Sequence, residues 1–169
     1  MHAVFLDYKT VDANDLDLGS IKALLPEIVI YSFSNEEEVL ARIEDAEVAI
    51  ANKVVFDAKV FARATKLKLI CVTATGTNNI DLEAAKQSGV MVCNIRDYCT
   101  DSVVQHVLLS ILTLKHSSRD YSASMEGGDW QKGNSFSLLQ HPITELSDKS
   151  LGIIGYGVLG QGVARAAAA

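Results

Sequence analysis

Short apolar runs alternate with stretches of helical spacing through the first hundred residues. Ala3–Asp7 (AVFLD) is apolar, and Asp17–Leu25 follows with Leu18, Ile21, Leu24 and Leu25 at helical spacing before Pro26 stops it. Ile28–Tyr31 is a β-branched run. Ser34 is placed to cap a helix over Asn35–Ile43, with Glu37 three residues on, as in a capping box. Val48–Ala51 is apolar again, and Asp57–Ala64 has Val60, Phe61 and Ala64 at helical spacing. Leu67–Thr73 (LKLICVT) reads as a buried strand. Asp81–Ser88 reads as a short helix with Gly89 just past its end, and Val90–Cys93 as a fifth strand. Five short apolar strands alternating with four helices predict an α/β fold built on a parallel sheet covered on both faces. Ligands of such sheets bind beyond the carboxyl ends of the strands, near the switch in strand order. That rule singles out two loops: Asn52-Lys53 after the third strand and Ala74-Thr75-Gly76-Thr77 after the fourth.

The alternation breaks near residue 100. Thr100 has the chemistry of an N-cap, and the spacing predicts a long helix over 101–118. Its Val103, Val104, Val107, Leu108, Leu109, Ile111, Leu112 and Leu114 run most of the way round. A helix apolar on so many sides is expected to be buried or to lie in an interface. A polar, glycine-containing stretch, Tyr121–Phe136, leads towards a sixth apolar strand, Leu151–Ile154. Directly after it stands Gly155-Tyr156-Gly157-Val158-Leu159-Gly160, a GxGxxG pattern followed by a helical sequence. Strand, glycine turn and helix together suit a dinucleotide. Gly155 would allow the tight turn, Gly157 a close approach of backbone to pyrophosphate, and Gly160 close contact between helix and strand. The alternative is an ordinary tight turn between strand and helix.

Composition narrows the classes. A chain of 169 residues holds one ordinary domain or a little more. The hydrophobic fraction of 49% and charged fraction of 21% are those of a globular protein, which excludes disordered and fibrous classes. A net charge of −6 disfavours non-specific nucleic-acid binding, which needs a basic face. Mean hydropathy is slightly high, at +0.17. The three cysteines, Cys71, Cys93 and Cys99, lack CxxC spacing, so neither a disulfide framework nor a metal site is expected. Cys71 and Cys93 lie in strand-like runs and read as buried, inert thiols. MHAVFLDYKT has no signal-peptide pattern, and the apolar run Val107–Leu114 is too short for a bilayer, which needs about 20 residues. A cytoplasmic protein with no membrane or nucleic-acid partner is the expectation.

Four blocks carry a family likeness: LKLICVTATGTNNIDLEAAKQSGVMVCNI (67–95), YCTDSVVQHVLLSIL (98–112), GDWQK (128–132) and PITELSDKSLGIIGYGVLGQGVAR (142–165). In order and spacing they resemble the D-isomer-specific 2-hydroxyacid dehydrogenases. Gln105, where many relatives have Glu, resembles the glycerate dehydrogenase/hydroxypyruvate reductase branch. That branch often has an aromatic residue near Leu138–Leu139, which this chain lacks.

The resemblance implies a flavodoxin-like substrate domain over 1–99. Residues 100–169 would then be the truncated start of a Rossmann NAD-binding domain, with helix 101–118 as a dimerisation element. It implies that Thr75 and Gly76 hold a substrate carboxylate through backbone N–H groups, a role a glycine-containing loop suits chemically. Thr77 and Val103 would lie beside the cofactor, together with Gly155, Tyr156, Gly157, Val158, Leu159 and Gly160. Asn52 and Lys53 sit on the adjacent loop at the mouth of the cleft and are expected to join the substrate-binding set, where Lys53 either adds positive charge near a 2-oxo acid or is an ordinary solvated lysine. His106 could be a general acid, although its apolar helix suits a hydrogen-bonded packing histidine better.

In this family an Arg, a Glu and a His complete hydride transfer, and all three fall downstream of the glycine loop, beyond these 169 residues. The implied activity is NAD(P)-dependent interconversion of a small 2-oxo and 2-hydroxy acid, with NAD(H) or NADP(H) as cofactor. These residues alone would be inactive, and the protein would be a homodimer or higher oligomer. The alternative is a non-catalytic, NAD-sensing or interaction module on the same fold.

Overall fold

The computed structural model describes residues 1–168, which fall into two compact units dividing between Arg96 and Asp97. The first contains strands β1 (Ala3–Phe5), β2 (Val29–Ile30), β3 (Val48–Ala51), β4 (Leu69–Val72) and β5 (Met91–Asn94). Between them run helices α1 (Gly19–Leu24), α2 (Glu36–Ile43), α3 (Ala58–Arg63) and α4 (Leu82–Gln87). The strands form one parallel sheet in the order β2-β1-β3-β4-β5. This is the flavodoxin-like order, with its switch point between β1 and β3.

Strand order and crossover handedness decide where the helices lie. The chain steps from β1 to β2 in one direction and from β2 through β3 and β4 to β5 in the other. With right-handed crossovers, α1 falls on one face and α2, α3 and α4 on the opposite face. The core agrees. Val4, Leu6, Ala49, Ala51, Ile70 and Val72 pack with Val39 and Ile43 of α2, Val60 and Phe61 of α3, and Ala85 of α4. Within this unit the second face has only α1, none of whose residues is buried. Its cover thins towards the β5 edge: Phe5 and Ile50 are buried, Cys71 is half-buried, and Cys93 and Met91 are exposed. The expected burial of Cys93 therefore fails at the β5 edge.

Helix starts follow from side-chain chemistry. Asp57 caps α3 by accepting from the Lys59 and Val60 N–H groups, and Asp81 caps α4 by accepting from Ala84 N–H. The expected capping box at Ser34 moves by one residue. Asn35 accepts from Glu38 N–H, and the Glu38 carboxylate accepts from Asn35 N–H at 2.9 Å. Ser34 instead donates to the carbonyl of Leu6.

The second unit contains α5 (Thr100–Lys115), α6 (Ser118–Glu126), α7 (Asp129–Lys132) and α8 (Val158–Ala167). Two expectations are corrected here. The helix expected over 101–118 stops at Lys115, because Ser117 adopts a left-handed conformation (φ 47°) and starts α6 in a new direction. Cys99, not Thr100, stands at the N-cap position of α5. The polar stretch after Tyr121 is largely helical, as α6 and α7.

The bend is fastened by backbone. Thr144 N–H donates to Lys115 O, Ser117 Oγ to Pro142 O, and Tyr121 Oη to the carbonyls of Leu138 and His141. Residues 151–154 form no strand. Among the described residues no neighbour offers them a ladder, and Ile154 is fully exposed. No described helix is long and apolar enough to cross a membrane.

Candidate functional site

The first unit presents its candidate site at the carboxyl ends of β1, β3 and β4. Asp7 follows β1 and is buried (3% exposed), with its carboxylate turned across the switch point to the loop after β3. There it accepts from Asn52 N–H (2.9 Å), Lys53 N–H (2.6 Å) and Val54 N–H (3.2 Å). Three backbone donors converging on one carboxylate form an anion nest that the protein fills with its own side chain. Asn52, also buried, turns its amide inward so that Nδ2 donates to Thr10 Oγ1 at 3.0 Å. Lys53 is exposed and has no ion-pair partner among the described residues. So Asn52 fastens its loop, and Lys53 is the member of the pair facing water.

Asn79 links this loop to the one after β4. Its Nδ2 donates to Val54 O at 2.7 Å, while Phe56 N–H donates to Asn79 O. The β4 loop is also held from β5: Asn94 Nδ2 donates to Thr75 O at 2.7 Å, and Ile95 N–H to Ala74 O at 3.1 Å. The carbonyls of Ala74 and Thr75 are thus engaged, and that of Thr77 accepts from Ile80 N–H, whereas the N–H groups of Thr75, Gly76 and Thr77 have no acceptor among the described residues. Thr75 and Gly76 are exposed, and Thr77 is half-buried. A Cβ at Gly76 would come within 3.1 Å of Asn78 Oδ1. Unclaimed backbone donors on a loop held by hydrogen bonds from β5 suit an anionic oxygen.

Sequence reasoning selected both loops but missed Asp7, Asn79 and Asn94, which hold them. One signal was available for Asp7: an acid ending an apolar strand, at the end of the sheet where ligands bind.

The second unit presents the glycine turn. Gly155 has φ +89°, which favours glycine. Gly157 stands at the N-cap of α8, and a Cβ there would meet nothing within 4 Å, so its backbone is open to approach. No side chain caps α8, and the first N–H pointing back into the helix is that of Gln161, bonded to Gly157 O at 2.9 Å. The N–H groups of Val158, Leu159 and Gly160 therefore remain free among the described residues, at the positive end of a ten-residue helix. Tyr156, Val158 and Leu159 all present exposed side chains.

Gly160 is required more strictly than the motif alone suggests. A Cβ there would collide with the carbonyl oxygen of Gly155 and come within 3.4 Å of Ile153 Cγ2. Gly162, outside the motif, is just as confined: its Cβ would lie 2.8 Å from Thr100 Cγ2 and 3.1 Å from Val104 Cγ2, so it sets the approach of α8 to α5. These features fit a pyrophosphate held by backbone N–H groups. Val103 is half-buried on α5. His106 is exposed and its ring makes no hydrogen bond among the described residues, so the packing role expected for it is not realised.

Residues 5–165 match the family described as D-isomer specific 2-hydroxyacid dehydrogenase, catalytic domain. A glycerate dehydrogenase of Methylorubrum extorquens is 41% identical over 133 residues, covering 79% of this chain and 42% of the relative. A hydroxypyruvate reductase of Blautia hydrogenotrophica is 34% identical over 172 residues, covering 100% of this chain and 53% of the relative. A crystallised protein of Thermus thermophilus superimposes with a TM-score of 0.81 at 26% identity, covering 99% of this chain and 53% of the other. The chain spans about half the length of the curated relatives it matches.

Proposed function

The chain belongs to the D-isomer specific 2-hydroxyacid dehydrogenase family, and on that premise we propose that it supplies the substrate-anchoring and pyrophosphate-anchoring parts of an NAD(P)-dependent oxidoreductase. The substrate class is a small 2-oxo or 2-hydroxy acid, with hydroxypyruvate or glyoxylate preferred. The observation carrying this reading is the row of unclaimed N–H groups at Thr75, Gly76 and Thr77. A 2-oxo acid brings a carboxylate that needs such donors, and the loop offers them without a compensating acid. Lys53 adds positive charge at the same end of the sheet, and Asp7 and Asn79 keep its loop in place. At the glycine turn, the free N–H groups of Val158, Leu159 and Gly160 take the pyrophosphate, with Val103 of the same unit beside the cofactor.

When bound, the nicotinamide supplies a hydride to the 2-carbon of the oxo acid. The carbonyl oxygen gains a proton, giving the 2-hydroxy acid. This chain's part is to fix the carboxylate, so that the neighbouring carbonyl carbon is presented in one orientation. The acid/base and carbonyl-polarising groups that the resemblance implies lie beyond residue 169, so the 169 residues alone are expected to give no turnover. Exposed Leu109 and Leu112, three residues apart on one side of α5, support self-association through that helix, because exposed apolar surface marks an association site.

The test joins residues 1–169 to the remaining half of the Methylorubrum extorquens relative and follows NADH oxidation. Turnover of hydroxypyruvate or glyoxylate is expected. Gly76→Val should raise KM by about tenfold or more with a smaller effect on NADH affinity, since it crowds the carboxylate donors. A chimera that binds NADH but turns over no member of a panel of small 2-oxo acids would refute the reading.

A further inference from the structure

The peptide bond between Thr75 and Gly76 is held at one end only. Its carbonyl, Thr75 O, accepts from Asn94 Nδ2 at 2.7 Å, while its N–H, that of Gly76, has no acceptor among the described residues. The preceding peptide is held in the same way: Ala74 O accepts from Ile95 N–H at 3.1 Å, and Thr75 N–H is left over. In a trans peptide the carbonyl and the N–H point in opposite directions. Both carbonyls are claimed from β5 and the residue after it, so both N–H groups turn away from β5. In a regular strand successive N–H groups alternate between sides, whereas two in a row on one side make a concave nest for an anion. The two latches differ in kind. Ile95 holds its peptide by backbone, which every residue but proline supplies. Asn94 holds the other by a side-chain amide, and no other described group bonds to Thr75 O.

Gly76 makes the side-chain latch necessary. A peptide plane turns over when ψ of the residue before it and φ of the residue after it change together, as between turns of type I and type II. Glycine accepts either orientation, because it populates both signs of φ. Gly76 does not have a positive φ here, so the plane stands in one of two forms open to it. Turning it over would exchange donor for acceptor and set a carbonyl oxygen against the substrate's carboxylate. Resting on the reading of Thr75–Thr77 as the carboxylate-anchoring row, we propose that Asn94 is a positioning residue for the reaction. Its amide locks the 75–76 peptide with the Gly76 N–H turned away from β5, ready for the carboxylate, and does so without touching the substrate.

The experiment compares Asn94→Leu, similar in shape but without donor or charge, with the unaltered protein. In the full 169-residue chain, the NMR signals of the Thr75 carbonyl carbon and the Gly76 amide should shift, while those of β1 and β3 stay in place. In the chimera, KM for the 2-oxo acid and the inhibition constant of oxalate should rise together by about tenfold, because one charge-assisted hydrogen bond is misdirected. KM for NADH should change by less than about twofold, since no cofactor contact is altered. Asn94→Gln, which keeps the amide on a longer arm, should recover part of the affinity for the oxo acid. Unshifted Thr75 and Gly76 signals, an unchanged KM for the oxo acid, or equal rises in KM for the oxo acid and NADH would overturn the proposal and leave the carboxylate row standing. Absence of turnover by the unaltered chimera would instead overturn the row itself, and this inference with it.

Discussion

Asp7 shows how one residue can fix a site without belonging to it. Its buried carboxylate is the acceptor for three successive N–H groups, and Asn, with a single acceptor oxygen, cannot replace it. Asp7→Asn should cost about 2 kcal/mol, the scale of a lost charge-assisted hydrogen bond, and should loosen residues 52–54 before the rest of the sheet. Chemical denaturation and NMR shift changes confined to that loop would check both parts. Gly160→Ala is the matching test in the second unit. The added methyl group meets the backbone carbonyl of Gly155, which has no rotamer through which to yield, so the turn must open. A loss of about 2 kcal/mol is expected, together with loss of NADH binding by the chimera. Both residues carry signals that sequence shows unequally. Gly160 belongs to a local motif, whereas Asp7 acts on residues 45 to 47 positions away.

At the level of elements, local chemistry is legible where a single candidate exists. Asp57 and Asp81 stand where the spacing starts a helix, and both cap. Near residue 35 the sequence offers two capping boxes one residue apart, Ser34 with Glu37 and Asn35 with Glu38. The choice falls to the second, because the Ser34 hydroxyl donates to Leu6 O, 28 residues distant, and its oxygen accepts from Arg42 Nη1 at 2.6 Å. Asn35→Ala should therefore destabilise the first unit by about 1 kcal/mol, measurable by thermal melting. Ser34→Ala should leave the helical content of α2 unchanged. The segment 151–154 illustrates the converse. Its apolar sequence is strand-like, but a strand exists only as a pairing, and pairing is not a property of four residues. Likewise, the left-handed Ser117 that ends α5 is set by the groups fastening the bend around it, through Pro142 and Thr144.

For the whole molecule, burial is very uneven. The first unit holds a continuous apolar core under α2, α3 and α4. In the second, Val163 is the one buried apolar side chain among the described residues. Since burial of apolar surface is the main favourable term in folding, the two units should differ in autonomy. Residues 1–96 alone are expected to melt cooperatively, whereas residues 97–169 alone should show helical signal without a cooperative transition; circular dichroism on each piece decides this. The strand order adds one more consequence, in isotope exchange. β3 is buried on both faces and flanked by β1 and β4, while β2 and β5 lie at the edges. Deuterium should therefore enter the sheet from its margins. The amides of β5 exchange first beneath their exposed sulfurs, and those of Val48–Ala51 exchange last, through global unfolding. A protection gradient of that shape would turn the order of five strands into a measurable sequence of times.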